Sequence, residues 1–277
     1  MPHLIKFAPA IKQAIGIRWS SQLASEASKS NMQHFKKNEN IWENPIYHPV
    51  YSKDEVLQVK KTHVETKDLS DQLAYLSVKL ARFSFDTLSG YRFGKLTTSK
   101  VLNRAIFLET VAGVPGFTAG ILRHLRSLRR MERDYGWIHT LLEEAENERM
   151  HLLTFIKLKQ PGLLFRFCVV ATQGIFMNGF FLAYLLSPKF CHRFVGYLEE
   201  EAVKTYTDII AAIDDGRLPE WKDQPAPEIA VSYWRLGENA TLRDMFLAVR
   251  ADEANHRDVN HTFATIKPQQ KNPFLQE

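Results

Sequence analysis

Two copies of one four-residue pattern, Glu148-Arg-Met-His151 and Glu253-Ala-Asn-His256, stand far apart in a chain of 277 residues. Residues three apart lie on one face of an α-helix, so each copy can aim a carboxylate and an imidazole at a single point. A further glutamate in a helical apolar setting precedes each copy: Glu109 before the first, and Glu199, opening the run Glu199-Glu200-Glu201, before the second. That order describes a paired-iron site. Four carboxylates balance the charge of two ferrous ions, and near neutrality is what a buried site requires. Oxygen-rich ligation with one imidazole per metal suits iron or manganese better than zinc or copper. The two cysteines, Cys168 and Cys191, fall outside the pattern, and so few thiols exclude a disulfide framework.

An arbitrary helical glutamate is usually a surface residue. Glu109, however, sits among Ala105, Ile106, Leu108 and Ala112, and Glu199 shares a helical face with Val195, Ala202 and Tyr206. Spacing alone leaves the register open within Glu199-Glu200-Glu201 and among Glu143, Glu144, Glu146 and Glu148. Tyr206 follows Glu199 by seven residues, about two turns, and so faces the same way. A helical tyrosine there is ordinarily packed and hydrogen-bonded, yet this one could also supply an electron beside the metals. Ligating imidazoles need their second nitrogen held. Asn147 and Asp252, each preceding a motif glutamate, together with Tyr233 and Trp234, are the candidates. His139, His192 and His261 read as structural or surface residues.

The elements that must position these groups are all helical. Apolar residues at 69, 73, 76, 80 and 83 mark an amphipathic helix over Leu69 to Leu88, with Gly90 as a stop. A second helix runs from near Ser99 through Glu109 until Pro115-Gly116 breaks or redirects it. From Phe117 to Arg133 leucines and isoleucines alternate with five arginines. Such a basic amphipathic helix favours an anionic membrane surface, although a solvated basic face is the ordinary reading. Phe167 to Leu186 carries no charge and, by hydropathy alone, could span a bilayer. It lies between Glu148/His151 and Glu199, which must meet. A crossing would part them, so a buried or membrane-embedded helix is expected, sharing one monotopic apolar surface with 117–133. Further helices are expected over 137–159, 190–213, 228–236 and 241–263.

The net charge is +5, and the first 61 residues hold nine basic against five acidic side chains. Residues 1–25 contain Lys6, Lys12 and Arg18, no acidic residue, and scattered Leu and Ile, the composition of a mitochondrial transit peptide. Residues 26–64 are expected to form an extended arm, wrapping a partner subunit. The helical domain then occupies 65–266, and 267–277 is a tail.

Four blocks of wording go beyond spacing: Leu108-Glu-Thr-Val-Ala-Gly-Val-Pro-Gly116, Asn147-Glu-Arg-Met-His-Leu152, Leu198-Glu-Glu-Glu-Ala202 and Ala251-Asp-Glu-Ala-Asn-His-Arg257. Together, in this order, they closely resemble the alternative oxidases, from about Asn44 to Ala264. The resemblance implies an all-α, ferritin-like four-helix bundle with a di-iron carboxylate site and two additional helices forming a monotopic membrane-binding surface. It selects Glu109, Glu148, His151, Glu199, Glu253 and His256 as metal ligands and favours a redox role for Tyr206. It also implies a quinol pocket lined by Arg82, Asp86, Arg104, Leu108, Glu201, Ala202 and Thr205; read alone, Arg82 and Asp86 make an i, i+4 surface pair. The implied protein is a homodimeric, matrix-facing enzyme of the mitochondrial inner membrane with two Fe ions. It would oxidise two ubiquinols, reduce dioxygen to two waters without proton pumping, and resist cyanide. No haem ligation pattern is visible, and no nucleic-acid partner is expected. Thiol regulation is not expected either, since the N-terminal arm has no cysteine. A quinone-ring hydroxylase, a plastid-type quinol oxidase and a ferritin-like iron binder remain as alternatives.

Overall fold

A computed structural model describes residues 48–275; the leader read over 1–25 and the arm before His48 lie outside the described residues. The helices are α1 (Lys53–Gln58), α2 (Leu69–Leu88), α3 (Thr98–Ala112), α4 (Val114–Arg130), α5 (Trp137–Leu158), α6 (Leu163–Leu186), α7 (Pro188–Asp214), α8 (Glu228–Tyr233) and α9 (Leu242–Phe263), with a 3₁₀ turn at Pro219–Trp221. No strand forms among the described residues.

Local chemistry sets the helix starts. Ser187 accepts a hydrogen bond from Phe190 N–H and Pro188 takes the first turn of α7, where its missing N–H costs nothing. Thr241 and Asp244 close a capping box on α9. The break after α3 falls at Gly113, two residues ahead of the expected Pro115-Gly116. Pro115 lacks an N–H and its ring crowds the carbonyl four residues back, so the ladder gives way upstream while the proline itself begins α4.

Helices α3, α5, α7 and α9 form the central bundle. Along its axis lie two apolar cores. One gathers Ile106, Phe155, Ile209, Met245 and Phe246, and the other Trp137, Leu141, Tyr184, Val259 and Phe263. The chemistry-bearing residues of α5, α7 and α9 fall between them. Close backbone approach is fixed by glycines: a Cβ on Gly116 would lie 2.5 Å from the Leu141 carbonyl oxygen, and one on Gly196 would lie 2.6 Å from the His261 ring.

Three long helices, α2, α4 and α6, lie outside the four, each over a segment whose apolar pattern predicts a helix. The stripe of α2 that marks it as amphipathic faces outward, with Leu69, Leu76 and Leu80 each more than 60% exposed. Its inner face is small and polar: Ala74 and Val78 close on Tyr197, and buried Asp71 accepts from Arg193 Nε at 3.1 Å. Periodicity locates an apolar face but not the side it meets. Only 11% of the apolar window of α6 is buried. Its polar residues have local employment: Gln173 donates to the Thr110 carbonyl (2.8 Å) and Asn178 to that of Gly174 (2.7 Å).

The arm is not uniformly extended. Ser52 and Glu55 form a capping box that nucleates α1. The segment 48–64 lies on its own bundle, since Arg250 donates to Val56 O, Arg257 to Lys60 O, and Val64 N–H donates to Glu200. The tail also packs back: Asn272 Nδ2 donates to Thr140, and the Gln270 carbonyl accepts from the Trp137 indole.

Candidate metal centre

Glu109 comes from α3, Glu148 and His151 from α5, Glu199 from α7, and Glu253 and His256 from α9; all six are buried. Their ligand atoms make two overlapping sets, each within 4.8 Å: Glu109, Glu148, His151 and Glu253 in one, Glu148, Glu199, Glu253 and His256 in the other. Glu148 and Glu253 belong to both. His151 Nδ1 lies 3.6 Å from Glu109, 3.4 Å from Glu148 and 3.5 Å from Glu253. His256 Nδ1 lies 2.7 Å from Glu148 Oε1 and 3.8 Å from Glu253.

The donor set fits metal. Glu109 Oε2, Glu148 Oε1 and both Nδ1 atoms are buried without an aligned hydrogen-bond partner, so even the 2.7 Å approach of His256 to Glu148 is a contact between groups aimed at a common point. Buried polar atoms are almost always paired. Electrostatics agree. Burial, then the nearby Glu148 carboxylate, pushes the Glu109 carboxyl well above the usual carboxylate range, and burial with Glu253 does the same to Glu199. Burial opposes charge on His151 and His256, yet the surrounding carboxylates outweigh it and raise both imidazoles well above their ordinary value. Protons are thus recruited where positive charge is short. A buried cluster of this composition could hold a metal centre.

Asp252 holds the far side of His151. Its Oδ2 lies 3.0 Å from His151 Nε2 and accepts from Trp234 Nε1 (2.7 Å) and Asn147 Nδ2 (3.0 Å), while Asn147 also donates to the Tyr233 hydroxyl (3.0 Å). The four candidates for outer support therefore form one network around Asp252, with Asn147 and Trp234 bonded to it and Tyr233 reached through Asn147. Sequence reasoning missed Tyr51, which donates to Asp252 Oδ1 at 2.7 Å from the arm. It also passed over Glu144, buried and bonded to Asn260, whose carboxyl burial raises to about 7. Glu144 lies one turn before Glu148, a spacing that could have found it; nothing local to Tyr51 could.

Tyr206 shares the Glu199 face but bonds elsewhere, its hydroxyl donating to Glu109 Oε1 at 2.6 Å. Burial, and then Glu109, keeps the phenol protonated far above its usual range. Beside it opens an apolar cavity of about 250 Å³, reaching from Glu109, Glu148, Glu199, Glu253 and Tyr206 to Phe85 and Phe176. Arg82, Arg104, Leu108, Glu201, Ala202 and Thr205 line it. Asp86 does not. It is buried behind the wall and accepts from Arg104 Nε at 2.8 Å, closer than its 3.5 Å approach to Arg82, so the i, i+4 surface pair is the weaker contact. Arg82 instead reaches Glu201 at 2.6 Å. Burial tends to raise the Glu201 carboxyl, but Lys79, Lys204 and Arg82 hold it down to about 2. A second cavity of about 410 Å³ meets Asp252 and His256 between Tyr51 and His139.

His139 stands at the surface. His192, bonded to Asn260 and near the Tyr184 hydroxyl, and His261, between Arg193 and Glu200, are buried parts of the frame.

Residues 51–265 match the family model for the alternative oxidases. The chain is 54% identical over 242 residues to the mitochondrial alternative oxidase of Emericella nidulans, covering 83% of this chain and 68% of that protein. It is 55% identical over 231 residues to the one of Trypanosoma brucei brucei (82% and 70%) and 50% identical over 266 residues to that of Aspergillus niger (92% and 75%).

Proposed function

This chain belongs to the alternative oxidase family, and we propose that it is a non-haem di-iron ubiquinol oxidase, taking electrons from two ubiquinols to reduce one dioxygen to two waters. One observation carries the reading: two overlapping carboxylate–imidazole sets that share Glu148 and Glu253 lie at the end of an apolar cavity walled by arginines. Glu109, Glu148, Glu199, Glu253, His151 and His256 would hold two iron ions. When bound, the pair supplies dioxygen binding and electron transfer.

The chain's own residues do the rest. The cavity receives the quinol ring on apolar walls, and Arg104, fixed by Asp86, offers a charged donor to a ring oxygen. Arg82 is committed to Glu201. A carboxylate held near 2 is a poor proton acceptor, so Glu201 orients rather than deprotonates the ring. Tyr206 would give one electron toward the reduction of dioxygen, its phenolic proton moving along the 2.6 Å bond to Glu109. Asp252 fixes the His151 ring so that Nδ1 faces the site.

The relatives are named mitochondrial, and the exposed apolar stripes of α2 and α6 flank the cavity. In this reading the protein lies monotopically on the matrix side of the inner membrane, and ubiquinol enters sideways between these helices. The sequence pattern assigns that surface to 117–133 and 167–186; exposure favours α2 with α6. The outer stripe of α4, with Phe117, Ile121 and Leu128 each about half exposed, is then free for a second copy in a homodimer. Cyanide insensitivity follows from a site without haem. The test is oxygen uptake by membranes carrying the protein, driven by ubiquinol with cyanide present, beside Glu148→Ala. Uptake lost in the variant without peroxide accumulating supports the reading. No uptake by iron-loaded, membrane-bound protein overturns it.

A further inference from the structure

At one end of the exposed apolar surface, positive charge collects that no carboxylate answers. On α4, arginines recur every third residue at 123, 126 and 129. Arg123 is buried and fully committed, donating to Asp134 at 2.7 Å and stacking over the Trp137 ring at 4.1 Å. Arg126, half-buried, and Arg129, exposed, have no hydrogen-bond, ion-pair or ring partner among the described residues. Both project into a cavity of about 600 Å³ between α4, the α6–α7 junction and the chain after α9. Lys67 and Lys267 also line it, and their amino groups have no partner among the described residues. Its two carboxylates are already answered, Asp71 by Arg193 at 3.1 Å and Asp68 by Lys189.

The walls are apolar where the cavity meets α6. Leu185 lines it, and Leu182, Leu185 and Leu186, between 57% and 87% exposed, continue outward along the helix. Unanswered guanidinium groups suit phosphate oxygens, which they bind in a fork. A cationic pocket opening onto a leucine surface suits a molecule with a phosphate at one end and hydrocarbon at the other. We infer that this cavity binds the phosphodiester headgroup of an anionic membrane phospholipid, its acyl chains lying along the exposed leucines of α6. The inference rests on the monotopic membrane reading and deepens it by assigning one site to one lipid class.

The test uses the full-length iron-loaded protein and flotation with vesicles, either pure phosphatidylcholine or with a minor share of phosphatidylglycerol. Arg126→Gln/Arg129→Gln is compared with Arg130→Gln/Arg133→Gln, which removes the same charge from the same helix end outside the cavity. A basic residue near an anionic surface contributes about five-fold to binding. The cavity pair should therefore lose about 25-fold of the preference for anionic vesicles, and the outer pair far less. Arg126→Lys/Arg129→Lys should keep most of it. Equal losses in both Gln pairs would reduce the effect to diffuse surface charge and overturn the site. Displacement by millimolar inorganic phosphate would overturn it in favour of a soluble anion. Loss of binding to every vesicle would sink the membrane reading itself, whereas neutral binding without anionic preference would sink only this inference. If the Gln pair folds poorly, phosphatidylglycerol added to detergent-solubilised wild-type protein decides: it should raise the melting temperature more than phosphatidylcholine does, and equal effects overturn the site.

Discussion

Asp252→Asn should weaken metal retention while leaving the fold intact, and the structure sets the size of both effects. Asp252 is 1% exposed. Its Oδ2 faces Trp234 Nε1, Asn147 Nδ2 and His151 Nε2 at 2.7 to 3.0 Å, and its Oδ1 accepts from Tyr51 at 2.7 Å. An asparagine keeps the shape and must leave its single oxygen where three donors converge. Its amide then faces the Tyr51 hydroxyl, which can turn and accept. Hydrogen bonds to a charged acceptor are stronger than neutral ones by about 1 kcal/mol each, so three weakened bonds cost about 3 kcal/mol of stability. The larger functional consequence falls on His151, whose far nitrogen loses its anionic partner. Removing such an outer partner lowers metal affinity by about 10–100-fold, or about 1.4–2.7 kcal/mol. The assay is iron remaining after dialysis against graded chelator, with the melting temperature of the iron-free protein measured in parallel. If half-removal needs the same chelator concentration within about three-fold, while the iron-free protein melts lower, Asp252 is a packing residue and the reasoning fails.

Gly116→Ala places a Cβ 2.5 Å from the Leu141 carbonyl oxygen and should cost about 1–3 kcal/mol as overpacking, read as a lower melting temperature; an unchanged value would show that α4 and α5 can part freely. Arg104→Leu should raise the KM for ubiquinol at least about ten-fold, the worth of a charge-assisted bond, with iron content unchanged; a fall in kcat alone would place Arg104 outside quinol binding. His192 tests the sign of a pH effect. Burial lowers its pKa to about 4, so the unfolded chain binds the extra proton first: this contribution to stability is complete above about pH 6.5 and declines by about 1.4 kcal/mol per unit as pH falls toward 4. Unfolding midpoints in denaturant between pH 7 and 4.5 should show that slope lessened in His192→Gln, and identical slopes would count against it.

What the sequence made legible follows from the range of each signal. Glu-x-x-His is local, with both donors on one turn of helix, so α5 and α9 could be read directly; Glu109 and Glu199 needed apolar neighbours and family wording. The support of Asp252 could be read except for one member: Asn147 and Trp234 are among the sequence candidates, and both donate to it. Asn147 and Asp252 are chain neighbours of motif glutamates, but Tyr51 reaches Asp252 across some two hundred residues, and no periodicity encodes such a contact. The outer helices show the opposite limit. The 69-73-76-80-83 stripe of α2 is as regular as any core-facing pattern, yet it points outward, because the residues that decide the matter are the small and acidic ones between: Ala74, Val78 and Asp71, the last paired with Arg193 from α7. A helix buries whichever face its partner can accept, and here the partner accepts an ion pair and two small side chains. Phe85 of α2 and Phe176 of α6 line the cavity that reaches Glu109, on the two helices whose leucines are left exposed. In the proposed reading, where the reductant is a lipid-soluble quinol, that exposed surface would serve as the entrance to the chemistry rather than as a fault in the packing.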